Sequence, residues 1–375
     1  MMKIVLAPDK FKGSLTGLEF CNAVHKGLLK VIPKTEVVFL PMADGGDGTI
    51  EVVNYYLLGE RIQLQVKNPL FQNTLATYLY ASDSKIAFIE MTEASGLKLL
   101  NPSELDCKNA TTFGTGQLIL DAINRGAKEI ILGIGGSATN DCGIGMAAAL
   151  GYRFMDKRDV DVFPIGASLS QIVTIDDSQV NKELKNVKFK IACDVTNQLY
   201  GKNGAAYVYA KQKGATEKDI EFLDKGLEDF SKVLDAKFKI QSQDVIGAGA
   251  AGGMGIASKV FLKGELISGI RLIKDLAQFD NKIKNANWII TGEGKLDEQT
   301  LSGKTIQGII DSAKQNGIKV AAFCGMLDLN EEQLKAFGIS YTDTVLNYTN
   351  TIEDAMLKSA VYVTKMAEKF AKSIV

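Results

Sequence analysis

The chain has 375 residues, 46% of them apolar, and a formal net charge of −1. That length suggests two packed domains, and the mixed acids and bases form no basic stripe suited to nucleic acid. No apolar run reaches the roughly 18 residues of a membrane span. The five cysteines, with no CxxC pair, read as reduced cytoplasmic thiols rather than a disulfide frame or zinc site.

Lys3–Ala7 is a short apolar strand. Thr16 and Glu19 fit a capping box, opening a helix that runs to about Val31 and stops at Pro33. Glu36–Leu40 is the next strand. An acidic glycine loop follows (Asp44, Gly45, Gly46, Asp47, Gly48), then a helix to about Leu58 with Gly59 past its end. Arg61–Lys67, Thr74–Ala81 and Lys85–Met91 alternate as half-buried antiparallel strands. Thr115–Asn124 is helical, with Gly126 as its stop. The strand Glu129–Ile134 feeds a second glycine loop, Gly133–Asp141, and Cys142–Leu150 reads as a buried helix.

Val187–Asp194 is a strand that delivers an aspartate at its end, Thr216 starts an amphipathic helix over Glu217–Leu234, and Gly247–Gly255 is glycine-rich. The strand Trp288–Thr291 runs into a third loop, Thr291–Asp297. Ser302 and Gly317 bracket a helix over Gly303–Asn316, Ile318–Phe323 and Thr342–Leu346 are strands, and Thr351–Lys372 reads as one terminal helix. Strands alternating with helices at both ends predict a parallel sheet with right-handed crossovers. The antiparallel stretch between them predicts an inserted α/β domain over residues 66–285, with the first domain made from 1–65 plus 286–375.

Two glycine runs imitate a dinucleotide fingerprint: Gly247, Gly249, Gly252, and Gly133, Gly135, Ala138. The fingerprint needs a strand before it, a helix after it and an acid some 20 residues on, and neither run supplies all three. Gly247–Gly255 is either a ligand loop or a site of close helix packing. The Walker A pattern fails because Glu298 stands where its first glycine belongs, ahead of Gly303, Lys304 and Thr305. The single histidine, His25, sits beside Lys26 on the first helix and reads as a surface residue. A Ser-His-Asp mechanism and histidine metal sites are thereby excluded.

Glycine lets backbone approach a ligand closely, and strand-end loops are where α/β proteins bind. Gly135, Gly136, Ser137, Thr139 and Asn140 offer N–H groups at a helix start, an anion seat, unless Thr139, Asn140 and Asp141 merely cap that helix. Asp44 and Asp47, and likewise Glu293 and Asp297, suit magnesium or hydroxyl contacts; Asp47 also fits as a helix cap. Asp194 stands at a strand end ahead of Asn197, and a carboxylate buried there is costly unless paired or used. Lys10 and Lys12 after the first strand, and Lys295 in the third loop, suit phosphate or carboxylate.

Taken in order, the segments Pro8–Leu15, Met42–Thr49, Thr112–Gly116, Gly133–Asp141, Ala192–Asn197 and Thr291–Thr300 resemble the glycerate kinases of bacterial glyoxylate and glucarate metabolism. The resemblance covers nearly the whole chain. Asp47 stands where that family usually has Glu, Cys142 where it has Gly, Lys295 where it has Arg, and Ser302 where it has His. Lys295 keeps the charge but lacks the bidentate fork. The resemblance implies a flavodoxin-like domain with an inserted α/β domain, and ATP- and Mg²⁺-dependent phosphorylation of D-glycerate, with 2-phosphoglycerate as product.

On that reading a cleft between the domains holds both substrates. Gly45, Gly46, Gly135, Gly136, Ser137, Thr139, Asn140, Asn197 and Lys10 bind phosphate or substrate. Lys12 and Lys295 neutralise charge, and Asp44, Asp47, Glu293 and Asp297 are the metal candidates. Asp194 takes the proton of the attacking hydroxyl. Phosphoryl transfer tolerates a site without histidine because it depends mainly on positioning and charge neutralisation. A monomer or homodimer is expected. The rival readings are an NAD-dependent dehydrogenase of a small hydroxy acid and a non-enzymatic sugar-acid binding protein.

Overall fold

The computed structural model describes residues 1–43, 49–298 and 304–375. They fall into two compact units, one made of Met1–Tyr56 and Ser268–Val375, the other of Leu57–Ile267. The expected residues Asp44, Gly45, Gly46, Asp47 and Ser302 lie outside the described residues.

The chain opens with β1 (Lys3–Leu6), a helix over Gly17–Val31 and β2 (Glu36–Phe39), which pairs parallel to β1. The capping box forms as expected: Glu19 N donates to Thr16 Oγ1, and Thr16 N donates to the Glu19 carboxylate. His25 is half-buried rather than a free surface residue, with its ring edge-on to Phe39. The next helix ends at Leu57, and the left-handed residue after it is Leu58 (φ 51°), not Gly59. Gly59 instead lies against the backbone of Tyr80.

The second unit carries β3 (Glu60–Lys67), β4 (Asn73–Ala81), β5 (Ile86–Glu90), β6 (Glu129–Gly133), a small ribbon of β7 (Arg153–Met155) and β8 (Thr174–Asp176), then β9 (Lys188–Ala192) and β10 (Glu265–Ile267). The main sheet has the order β10-β9-β6-β5-β4-β3. Its first four strands are mutually parallel, and β4 and β3 add antiparallel. The buried faces of β6 and β9 pack with the helices over Phe113–Asn124, Glu217–Phe238 and Ala250–Phe261 into one apolar core. The loops after β5, β6 and β9 therefore emerge at the same sheet end, the C-terminal edge where α/β proteins bind ligands.

The chain then returns to the first unit. β11 (Trp288–Leu296), β12 (Lys319–Leu327) and β13 (Ile339–Thr344) complete an all-parallel sheet of order β13-β12-β11-β1-β2. This is the flavodoxin-like strand order, with its switch point between β1 and β11. β11 is longer than the sequence suggests: it stays paired with β12 through Glu293, Lys295 and Leu296, so the expected third loop is mostly strand. Its glycines provide clearance rather than a turn. A β-carbon on Gly292 would stand 2.2 Å from the Phe323 carbonyl oxygen and 2.9 Å from the Phe20 ring.

The expected single terminal helix is two, Ile352–Leu357 and Ser359–Ser373, divided at Lys358. Ser359, which opens the second, pairs its hydroxyl with that of Ser14 and with the Ala355 carbonyl. This second helix packs along the first helix so closely that a β-carbon on Gly27 would meet the Thr364 carbonyl at 2.3 Å.

Candidate functional site

In the second unit, the loop after β6 is tied down on one side and open on the other. Leu97 N donates to Gly136 O, and Ala138 N to Ser95 O. Gly136 takes a left-handed conformation (φ 69°), while among the described residues nothing lies within 4 Å of the space a β-carbon would fill on Gly135. Asp141 is fully buried and accepts from Thr112 N, Thr112 Oγ1, Gly143 N and Gly145 N. Burial raises its carboxyl's pKa, and those donors oppose the rise. Asp141 therefore fastens the helix start and is spent on structure.

Its two predecessors are different. Thr139 and Asn140 are fully buried, yet the Thr139 hydroxyl and both ends of the Asn140 carboxamide have no hydrogen-bond partner. Of the three residues weighed as helix caps, only Asp141 bonds to the helix start, and the cap position itself is held by left-handed Gly143. Unsatisfied buried polar atoms are costly and call for an explanation.

The sequence reading missed Lys213. It is 3% exposed, and its Nζ donates to Ser137 Oγ and to the Thr139 carbonyl, both at 2.8 Å. Burial pulls its ammonium's pKa down, to about 8. It follows a π-helical turn over Ala206–Ala210 and precedes Gly214, which is left-handed at φ 91°. The stretch between Tyr200 and Thr216 has no clear apolar period, so periodicity gave no reason to select this lysine. Rare π-turns, which do collect at functional sites, are invisible to that method.

Asp194 lies two residues past β9 and is half-buried. The Asn197 carboxamide is occupied by its own loop: Nδ2 donates to Asn203 O, and Oδ1 accepts from the Tyr209 hydroxyl at 2.6 Å. The glycine-rich stretch resolves toward close packing. No strand precedes it, since residues 242–244 form a 3₁₀ turn. A β-carbon on Gly247 would lie 2.9 Å from Val195 O, and one on Gly249 2.0 Å from Gln198 O. One on Gly252 would lie 2.2 Å from Thr139 O. This one segment thus packs against both the Asp194 loop and the Thr139–Asn140 loop.

In the first unit, Thr291 Oγ1 donates to Ala7 O and Asp9 N to Gly292 O. They hold a tight turn in which Phe11 N donates to Leu15 O and Gly13 is left-handed. Asp9–Glu19, with Met42, Ala43, Glu51 and Val52, line a cavity of about 450 Å³. Both Lys10 and Lys12 are on its wall, and Lys12 also lines a neighbouring cavity of about 290 Å³ together with Lys295. Lys295 pairs with Asp297 at 3.0 Å and Asp328 at 3.4 Å; the hydrogen bond to Asp297 raises its pKa. Among the described residues no group of three or more His, Cys, Asp or Glu side chains is gathered to hold a metal ion. The five cysteines are free, and no described helix is long and apolar enough to cross a membrane.

An α/β fold with strand-end loops, a buried lysine and unsatisfied buried polar groups beside them is the arrangement in which α/β enzymes place their sites. The comparisons make that specific. The sequence profile of the glycerate kinase family matches residues 4–375. The glycerate kinase of Halalkalibacterium halodurans is 40% identical over 371 residues, which is 99% of this chain and 98% of that protein. The glycerate 2-kinase of Escherichia coli is 40% identical over 354 residues, 94% of this chain and 93% of its own. The crystal structure of a Salmonella typhimurium LT2 protein assigned as glycerate kinase 2 superposes with a TM-score of 0.89. The two are 38% identical, and the match covers 100% of this chain and 98% of that one. The chain belongs to the glycerate kinase family and is a phosphotransferase.

Proposed function

We propose that the protein transfers the terminal phosphoryl group of ATP to D-glycerate, with magnesium, and that the product is 2-phosphoglycerate. The observation that carries this reading is the buried, unpartnered trio of polar atoms on Thr139 and Asn140, in a chain that matches the glycerate kinase family along its length. The position of the new phosphate follows the E. coli relative, which is named a glycerate 2-kinase.

The residues suit a cation that arrives on phosphates. Magnesium on a nucleotide takes only one or two protein carboxylates and keeps water or phosphate oxygens for the rest. Glu293 and Asp297 are the candidate carboxylates within the described part of the first unit. Glu293 shares one face of β11 with Lys295, because alternate strand residues share a face, and Asp297, just past the strand's end, pairs with Lys295. When bound, the cation would spread the charge that builds on the transferring group.

The chain's own groups do the rest. Gly135 and Gly136 present backbone N–H groups to an oxyanion, and Lys12 and Lys295 neutralise charge. Asp194 accepts the hydroxyl proton while the glycerate oxygen bonds to phosphorus and the bond to the diphosphate leaving group breaks. Phosphoryl transfer needs little more than this positioning and neutralisation.

The test is incubation of the purified protein with ATP, magnesium and D-glycerate, read by phosphorus NMR. One 2-phosphoglycerate per ADP is expected. A 3-phosphate product overturns the regiochemistry, and ADP without an organic phosphate overturns the reaction.

A further inference from the structure

We propose that Lys213 is the positioning residue of an oxyanion subsite built from Ser137, Thr139 and Asn140, which receives a carboxylate or phosphoryl group of the reactants. This deepens the kinase reading above and rests on it.

Lys213 clamps two points of one short loop, the Ser137 hydroxyl and the Thr139 carbonyl, each at 2.8 Å. Its own backbone is fixed in turn: Cys107 N donates to Lys213 O, and Ala215 N reaches back to Ala210 O. Gly214 allows the left-handed exit, where a β-carbon would strike Leu105 O at 2.1 Å. An ammonium buried to this degree is costly unless it is hydrogen-bonded or used. Two of its three donors are accounted for by the loop. The nearby acid, Asp141, cannot serve as its partner through any hydrogen bond seen here, because its oxygens are taken by Thr112, Gly143 and Gly145.

The second observation comes from the clamped residues. Thr139 and Asn140 carry three polar atoms that are fully buried and unpartnered, which is unfavourable in the absence of a ligand. A loop fixed by a cation and left with an unused hydroxyl and an unused carboxamide N–H is preorganised for an anion with several oxygens. The Asn140 carbonyl oxygen would face a hydroxyl of the same ligand. Glycerate carries both a carboxylate and hydroxyls, and ATP carries phosphates and ribose hydroxyls; the structure assigns the shared chemistry and experiment separates the two.

The test uses Lys213→Met and Asn140→Ala in the full-length protein. Affinities for D-glycerate and for ATP are measured separately by calorimetry, and turnover by steady-state kinetics. Asn140 uses neither end of its carboxamide internally, so Asn140→Ala should fold and melt no lower than the wild type. It should nonetheless bind one of the two ligands roughly tenfold or more weakly. Lys213→Met should weaken the same ligand by at least as much, raising its KM more than that of the other substrate. A loss confined to D-glycerate identifies the carboxylate, and one confined to ATP identifies a phosphoryl group. If Lys213→Met does not fold, Asn140→Ala decides alone. Wild-type affinity for both ligands in folded Asn140→Ala overturns the proposal. If wild type transfers phosphate to D-glycerate and the variants bind normally, the subsite falls and the kinase reading stands; if wild type binds ATP but leaves glycerate unmodified, the kinase reading falls first.

Discussion

The Asp141 carboxylate holds Thr112 twice, accepting from its amide at 2.8 Å and from its hydroxyl at 2.7 Å. The same hydroxyl oxygen accepts from Met146 N at 2.8 Å. One buried acid thus fastens the start of the helix over Phe113–Asn124 to the loop that ends at the Ile144–Ala149 helix. Asp141→Asn replaces an acceptor with a donor among four N–H and O–H groups. Breaking such a buried charged network costs about 3 kcal/mol. Thermal or urea unfolding should show a clear loss of stability, and an unchanged midpoint would remove the fastening role.

Gly252 makes the corresponding contact from the other side. At φ 71° it is already left-handed, and a β-carbon would sit 2.2 Å from Thr139 O and 2.6 Å from the Asn140 Cα. Gly252→Ala should therefore displace the loop rather than only destabilise it. The backbone strain alone costs on the order of 1–2 kcal/mol. The expected result is a folded protein whose kcat/KM for phosphorylation falls at least about tenfold, since small misplacements of positioning groups are expensive. Gly201 is also left-handed, at φ 87°, but among the described residues nothing lies within 4 Å of its missing β-carbon. Gly201→Ala is the control and should cost stability without a comparable loss of activity.

The contrast between those glycines explains what the sequence could and could not reveal. Thr16 with Glu19, the strand Glu129–Gly133 and the small apolar helix after it all follow from local rules, so they were readable from neighbouring residues alone. Gly292 was read as part of a loop because glycine usually marks a turn. It is in fact a strand residue cleared for the Phe323 carbonyl and the Phe20 ring, both remote in sequence. Lys213 depends on tertiary structure in the same way: its meaning comes from Ser137 and Thr139, 76 and 74 residues away. The Asn197 carboxamide looked available for substrate, but Asn203 and Tyr209 occupy it.

Lys213 also predicts a pH dependence. Its pKa in the folded protein is about 8, against 10.5 for an ordinary lysine. Burial lowers it, while the neighbouring Asp141 carboxylate opposes that shift. The ammonium is thus lost as pH rises through about 8, and activity that needs the clamp should fall along an alkaline limb centred there. Stability moves the other way. Between about 8 and 10.5 the unfolded chain holds more of this proton than the folded one, so this group's contribution to stability rises with pH. Activity that declines over a range where the melting temperature does not follow it would separate titration from unfolding. The limb should be missing from the residual activity of Lys213→Met, and its persistence there would assign it to another group.

Asp194 carries the last prediction. It stands two residues beyond β9, whose end is parallel to and in register with Gly133 at the end of β6. Its loop and the Thr139–Asn140 loop rest on the same glycine segment. A carboxylate that takes the hydroxyl proton acts in the transition state more than in binding, so its loss should appear in kcat. Asp194→Asn keeps the shape and removes the base. Turnover should fall at least about tenfold, as expected for a general base, while the KM for D-glycerate changes little. A variant that turns over normally removes Asp194 from the chemistry, and one that raises KM at constant kcat makes it a binding residue for the substrate hydroxyl instead.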